Sequence, residues 1–129
     1  MGCLKIVYQF APGKKLIRVT PVAEDVETIE GEPNSFGLWV YGDGSGNTLG
    51  LRFVDQTGQV FQEGGGPVTW KGWRYAVFPM GTALASHWGG ADDGVIHYPI
   101  RWDTLLLINN AEQKETRGMV FISGPTLIF

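Results

Sequence analysis

The residues best equipped for chemistry stand together late in the chain, where His87 and His97 lie near Ser86, Asp92, Asp93 and Asp103. A serine, a histidine and an aspartate can act as a nucleophile, its base and the group that orients the base. No Gly-x-Ser-x-Gly elbow is present, however, and Ser86 preceding His87 does not bring a hydroxyl to an imidazole. Glycoside hydrolysis needs two carboxylates facing each other across a cleft at roughly 5 to 9 Å. Here Glu24, Glu27, Glu30 and Glu32 follow a polar edge, and Glu112 and Glu115 fall in a late turn, so they read as solvated charges. No residue is assigned a catalytic role, and a small hydrolase using His87 or His97 is kept as the third reading.

Asp43, Ser45 and Asn47 occupy the first, third and fifth positions of a calcium-loop spacing. Thr48 then replaces the glycine of the sharp turn, and Val54 replaces the bidentate glutamate. Residues 43–47 therefore read first as a hairpin turn, whose glycines supply positive φ and whose Asp and Asn bond their own backbone. Asp92-Asp93-Gly94 is a second oxygen-rich candidate, and whether a metal is bound stays open. The glycine runs 42–46 and 64–66 open no helix, so neither offers the helix N-terminus that attracts phosphate. Cys3, the single cysteine, excludes an internal disulfide and a cysteine-rich zinc site.

Aromatic residues carry the strongest remaining signal. Five tryptophans, Trp39, Trp70, Trp73, Trp88 and Trp102, are accompanied by Tyr41, Tyr75 and Tyr98. Alternation puts Leu38 and Val40 on one face of a strand and Trp39 and Tyr41 on the other. Across the turn, Leu49, Leu51 and Phe53 face the core, which turns Arg52 to the side of Trp39. A flat ring beside a forked cation suits a sugar, whose C–H face packs on the ring while its hydroxyls take hydrogen bonds. Large aromatics also fill sandwich cores, so each tryptophan is open to both readings. Trp88 differs, because its neighbours His87, Gly89, Gly90, Asp92 and Asp93 are polar or glycine and nothing local would bury it.

The elements that must position these groups are strands. Period-two alternation marks Leu4 to Phe10, Leu16 to Thr20, Phe36 to Tyr41, Leu49 to Val54, Gln59 to Gln62 and Trp73 to Pro79. A more polar run passes through Val26 and Ile29. Residues 64–67 read as a hinge-like loop and residues 81–99 as a long loop. Thr104 to Ile108 is a continuous apolar run expected at the centre of a sheet, buried on both faces, and Met119 to Ile122 and Thr126 to Phe129 close the chain. Nowhere do apolar residues keep helical spacing for three turns. Nine to eleven short antiparallel strands predict an all-β sandwich.

With 129 residues, 43% of them hydrophobic, the chain is the size of one domain with one core. A net charge of -3 and no basic cluster beyond Lys14-Lys15 and Arg18 argue against a nucleic-acid partner. No stretch reaches the roughly 18 apolar residues that span a bilayer. No charged-then-apolar leader opens the chain, and Met1-Gly2 before a strand pattern is the expected start of a module cut from a longer secreted protein.

The run from Phe36 to Asn47, then Leu51-Arg52-Phe53-Val54-Asp55 and Trp70-Lys71-Gly72-Trp73-Arg74-Tyr75, resembles the jelly-roll carbohydrate-binding modules of bacterial glycoside hydrolases and phosphodiester glycosidases, with a layout similar to families 4, 11 and 22. The resemblance covers Leu4 to Phe129. It implies non-catalytic binding of polysaccharide, chiefly β-glucan such as cellulose, mixed-linkage glucan or xyloglucan, in an extracellular enzyme whose linked catalytic domain is targeted to substrate. It also implies a structural calcium near the termini, although the matching stretch Ile122-Ser123-Gly124-Pro125 lacks the aspartate of that site. The expected stacking residues are Trp39, Tyr41, Trp73, Tyr75 and Trp88, and the expected hydrogen-bonding residues are Arg52, His87, Asp92, Asp93 and His97. The alternative is a structural or protein-interaction sandwich whose tryptophans are all core.

Overall fold

The computed structural model describes residues 3–20, 28–80, 85–110 and 112–129. Val26, Glu24, Glu27 and the first residues of the 81–99 segment, all named above, lie outside the described residues. Ten strands run along the described chain: β1 Cys3–Phe10, β2 Leu16–Val19, β3 Thr28–Ile29, β4 Ser35–Asp43, β5 Thr48–Val54, β6 Val60–Pro67, β7 Lys71–Pro79, β8 Ser86–Trp88, β9 Ile100–Ile108 and β10 Thr116–Ile128. They form two antiparallel sheets, a front sheet of order β1-β10-β4-β7 and a back sheet of order β2-β9-β5-β6-β8, with β3 also on β9. Without the short β3 and β8, each sheet has four strands in an interleaved order that places the first strand beside the last and the second beside the next to last. That is a jelly-roll arrangement, as the resemblance implies, and the two antiparallel sheets are the sandwich expected from the strand pattern.

The alternation works as expected where it decides the core. Ile6, Tyr8 and Phe10 of β1, Leu38 and Val40 of β4, and Val120 and Ile122 of β10 meet Leu49 and Leu51 of β5 and Leu105 and Leu107 of β9 between the sheets. Each such side chain contributes roughly 1.5–3 kcal/mol by leaving water. Thr104 to Leu107 are buried in β9, which lies between β2 and β5, as the continuous apolar run required. A smaller cluster of Phe53, Phe61 and Ile100 fills the far end, with the two phenyl rings stacked at 5.1 Å.

Three expectations are corrected by the pairing. The hairpin between β4 and β5 does not form: β4 pairs with β10 and β7, β5 pairs with β6 and β9, and residues 44–47 cross from one sheet to the other. The crossing is held by Gly46 N–H to Val68 O at 2.9 Å and Val68 N–H to Asn47 O at 2.8 Å. It lets the inward faces of the two strands pack on each other. The glycines at 64–66 are no loop but part of β6, where the shift in register beside Leu49 and Gly50 leaves Gly65 as the extra residue of a bulge. A Cβ on Gly65 would overlap the Phe78 ring reaching across from the front sheet, so only glycine fits there. Finally, β10 is one long strand through Gly124-Pro125, with an irregularity between Ser123 and Thr126, instead of two.

Candidate functional site

The outer face of the front sheet carries a row of rings, placed by register. Trp39 of β4 lies opposite Tyr75 of β7 and Ser123 of β10, and Tyr41 lies opposite Trp73 and Phe121. Directly opposed residues share a face, so these five rings form one patch. Ring centroids are 5.3 Å apart for Trp39 and Tyr75, 5.4 Å for Tyr41 and Trp73, and 5.8 Å for Tyr41 and Phe121, all in edge-on contact. Trp39, Tyr41 and Trp73 remain 47%, 41% and 51% exposed, well above what a core ring shows. Tyr75 is half-buried because its ring leans over Gly37, where any Cβ would overlap the phenol. Trp39 in turn borders Gly124 at the irregularity of β10. The four front-sheet residues expected from the sequence are thus brought together. Phe121 completes the patch; its position between the inward Val120 and Ile122 was the signal that could have found it.

Beside the rings a groove of about 890 Å³ continues along the same face. Lys5, Lys71 and Arg117 flank it, Lys5 Nζ lying 6.0 Å from the Phe121 ring centre, and Asp43 stands at its floor. The Tyr8 hydroxyl donates to Asp43 Oδ2 at 2.5 Å, and the Ser45 N–H donates to Oδ1 at 3.1 Å. Burial, followed by that bond to the Asp43 carboxylate, pushes the Tyr8 phenol up to about 12, so it stays a donor at neutral pH. Asn47, fully buried, donates to the Tyr8 hydroxyl and to Thr116 Oγ1 and accepts from the Asn110 N–H. The residues with calcium spacing therefore use their oxygens within the protein, as a turn does. Among the described residues no group of three or more His, Cys, Asp or Glu side chains is placed to hold a metal.

The other candidates lie elsewhere. Arg52 does not share a face with Trp39: once β4 and β5 belong to different sheets, Arg52 points out from the back sheet. There its Nε donates to Gln62 Oε1 at 2.8 Å and its guanidinium lies 5.2 Å from the Trp88 ring centre. Trp88, 41% exposed, sits on β8 at the edge of that sheet. Ser86 and His87 alternate along β8, pairing with Gln62 and Phe61, so the hydroxyl and the imidazole point to opposite sides.

Residues 87–97 fold back around Gln59. Its side chain is fully buried: the two Nε2 hydrogens are shared among Asp55 Oδ2, Asp93 Oδ1 and the Val95 carbonyl, and Oε1 accepts from the Gly94 N–H. His97 Nε2 meets Asp93 Oδ2, and His87 Nδ1 meets Asp92 Oδ1, each at 2.7 Å. The Val95 N–H, then His97 and Gln59, hold the Asp93 carboxyl down to about 2. Burial works to raise the Asp55 pKa, but hydrogen bonds from Thr57, His97 and Gln59 outweigh it and leave the carboxyl below its ordinary value. His87, Asp92, Asp93 and His97 are therefore brought together at the edge of the back sheet, apart from the front-sheet rings, while Trp88, next along β8, turns to the other side, over Arg52.

Comparison with known protein families, with curated proteins and with solved structures found no match. No helix among the described residues is long and apolar enough to cross a membrane.

Proposed function

We propose that this protein binds polysaccharide, without cleaving it, on the outer face of its front sheet. One observation carries the reading: Trp39, Tyr41 and Trp73 lie open to water in a single patch on a rigid sheet. Pyranose rings present C–H faces that pack on such rings, and polar groups beside the patch take the hydroxyls. Stacking of this kind gives modest affinity, about micromolar to millimolar. The ligand class proposed is β-glucan, as in the modules the sequence resembles, and the setting proposed is a secreted enzyme whose catalytic domain this module brings to its substrate.

An exposed aromatic patch also suits a surface packed against a neighbouring protein domain. Affinity electrophoresis through gels containing soluble glycans separates the two readings. Retardation that is lost in Trp39→Ala and Trp73→Ala, with circular dichroism unchanged, supports glycan binding. Free migration in every gel sinks it and leaves the packing surface. Release of reducing ends by the purified protein would instead reveal a hydrolase.

A further inference from the structure

We infer that the groove beside the aromatic patch selects an acidic glycan, one carrying uronic-acid carboxylates, over neutral β-glucan; this rests on the glycan-binding reading above and departs from it in the class of glycan. Lys5, Lys71 and Arg117 come from three strands, β1, β7 and β10, and converge on one groove that shares Tyr41 with the patch. None of the three makes an ion pair within 4.0 Å of an acidic side chain among the described residues, where the ion pairs are His87–Asp92, His97–Asp93 and Lys114–Glu112. Lys71 stands directly opposite Asp43 in the register and still forms no such pair with it. In a chain of net charge -3, three cations around one groove are not a consequence of composition. They set up a local positive field in a surface depression, where the field of grouped charges is focused.

The floor has a different chemistry. Asp43 is held in place by Tyr8 and Ser45, and Gly118 beneath it can have no side chain, since a Cβ there would overlap Asp43 Oδ2. A carboxylate with remaining lone pairs accepts from hydroxyl donors and repels anions. A suitable ligand therefore has a ring face for Tyr41 and Trp73, hydroxyls for Asp43 and carboxylates for the surrounding cations, which a uronic-acid glycan combines. A single strand of DNA also stacks on rings and pairs with cations. It has no hydroxyl donors along its backbone for Asp43, and its dense phosphates would meet that carboxylate at the floor.

The test compares a glucuronic-acid polysaccharide with the same polymer after reduction of its carboxyls to alcohols, alongside neutral mixed-linkage β-glucan and oligo-dT, by isothermal titration at low salt. The acidic polymer is expected to bind about tenfold more tightly than its reduced form, because each exposed pair adds little and three act together. That preference, read as the ratio of the two affinities, should shrink to within about twofold at 0.5 M salt and in the double variant Lys71→Gln, Arg117→Gln. Equal affinity for the native and reduced polymers, with both lost in Trp73→Ala, overturns the acidic-glycan inference and leaves glycan binding standing. Binding of no glycan overturns both. Oligo-dT binding as tight as the acidic polymer replaces the proposed ligand with a nucleic acid.

Discussion

The side-chain amide of Asn47 donates to the Tyr8 hydroxyl at 3.0 Å inside one end of the sandwich, joining the β4–β5 crossing to the first strand. Through Asp43 the same hydroxyl reaches the groove floor, so one buried junction supports both the fold and the candidate site. Asn47→Ala removes a side chain that serves Tyr8, Thr116 and Asn110 at once. A loss of about 2–4 kcal/mol is expected, because three hydrogen bonds of a fully buried side chain go at once, one of them to the buried Tyr8 hydroxyl. Urea unfolding followed by tryptophan fluorescence measures it, and a change under about 0.5 kcal/mol would show that water replaces the amide.

Trp39→Ala and Trp88→Ala should behave differently, since the two rings lie on opposite sheets. The first is expected to weaken glycan retention at least several-fold while changing stability by less than about 1 kcal/mol, as a half-exposed surface ring should. The second is expected to leave retention unchanged and to free Arg52 from its ring contact. Loss of retention in Trp88→Ala alone would move the site to the back sheet.

The acid side of the stability profile should report Asp93. Its carboxyl is held down to about 2 in the fold, below its ordinary value of 3.8. The unfolded chain therefore takes up the proton first, so this stabilisation is in place above about pH 4 and is lost as pH falls through about 2. Asp55, also lowered, acts in the same direction. Urea midpoints should fall between pH 5 and pH 2, and Asp93→Asn should flatten part of that fall. Parallel profiles for the two proteins would rule out the linkage.

Gly90 is the most sensitive position of the loop around Gln59. It has φ +51°, and a Cβ there would overlap the Gln59 N and Thr57 backbone and hydroxyl oxygens. Gly90→Ala should push the loop outward and speed hydrogen exchange at the Gly94 and His97 amides, leaving the core strands protected. Unchanged exchange at both amides would mean that the loop can shift without losing its bonds to Gln59 and Asp55.

Much of this was legible from alternation alone. The inward faces of β4 and β5, the buried β9 and the outward Trp39 and Tyr41 all follow from a period of two. The path of the chain between β4 and β5 was not legible, because Gly and Asx residues make a hairpin turn and an inter-sheet crossing with the same local chemistry. Only the tertiary pairing chooses between them. The side to which Arg52 points depends on the same choice, since a hairpin would set it beside Trp39 and the crossing sets it on the back sheet. The glycines of β6 misled for a related reason: they read as a break, yet Gly65 is a glycine because the Phe78 ring occupies the space of a side chain. Lys5, Lys71 and Arg117 are dispersed in sequence, and only the strand order gathers them.

The place of β10 between β1 and β4 bears on how the protein is made. On the ribosome, β4 and β7 emerge long before the strand that links them to β1. The nascent front layer must therefore wait for its middle plank, with two indoles and two phenols of the future platform already translated. Chaperone occupancy at that stage, and the ability to grip any partner, should both change sharply once Phe121 clears the exit tunnel.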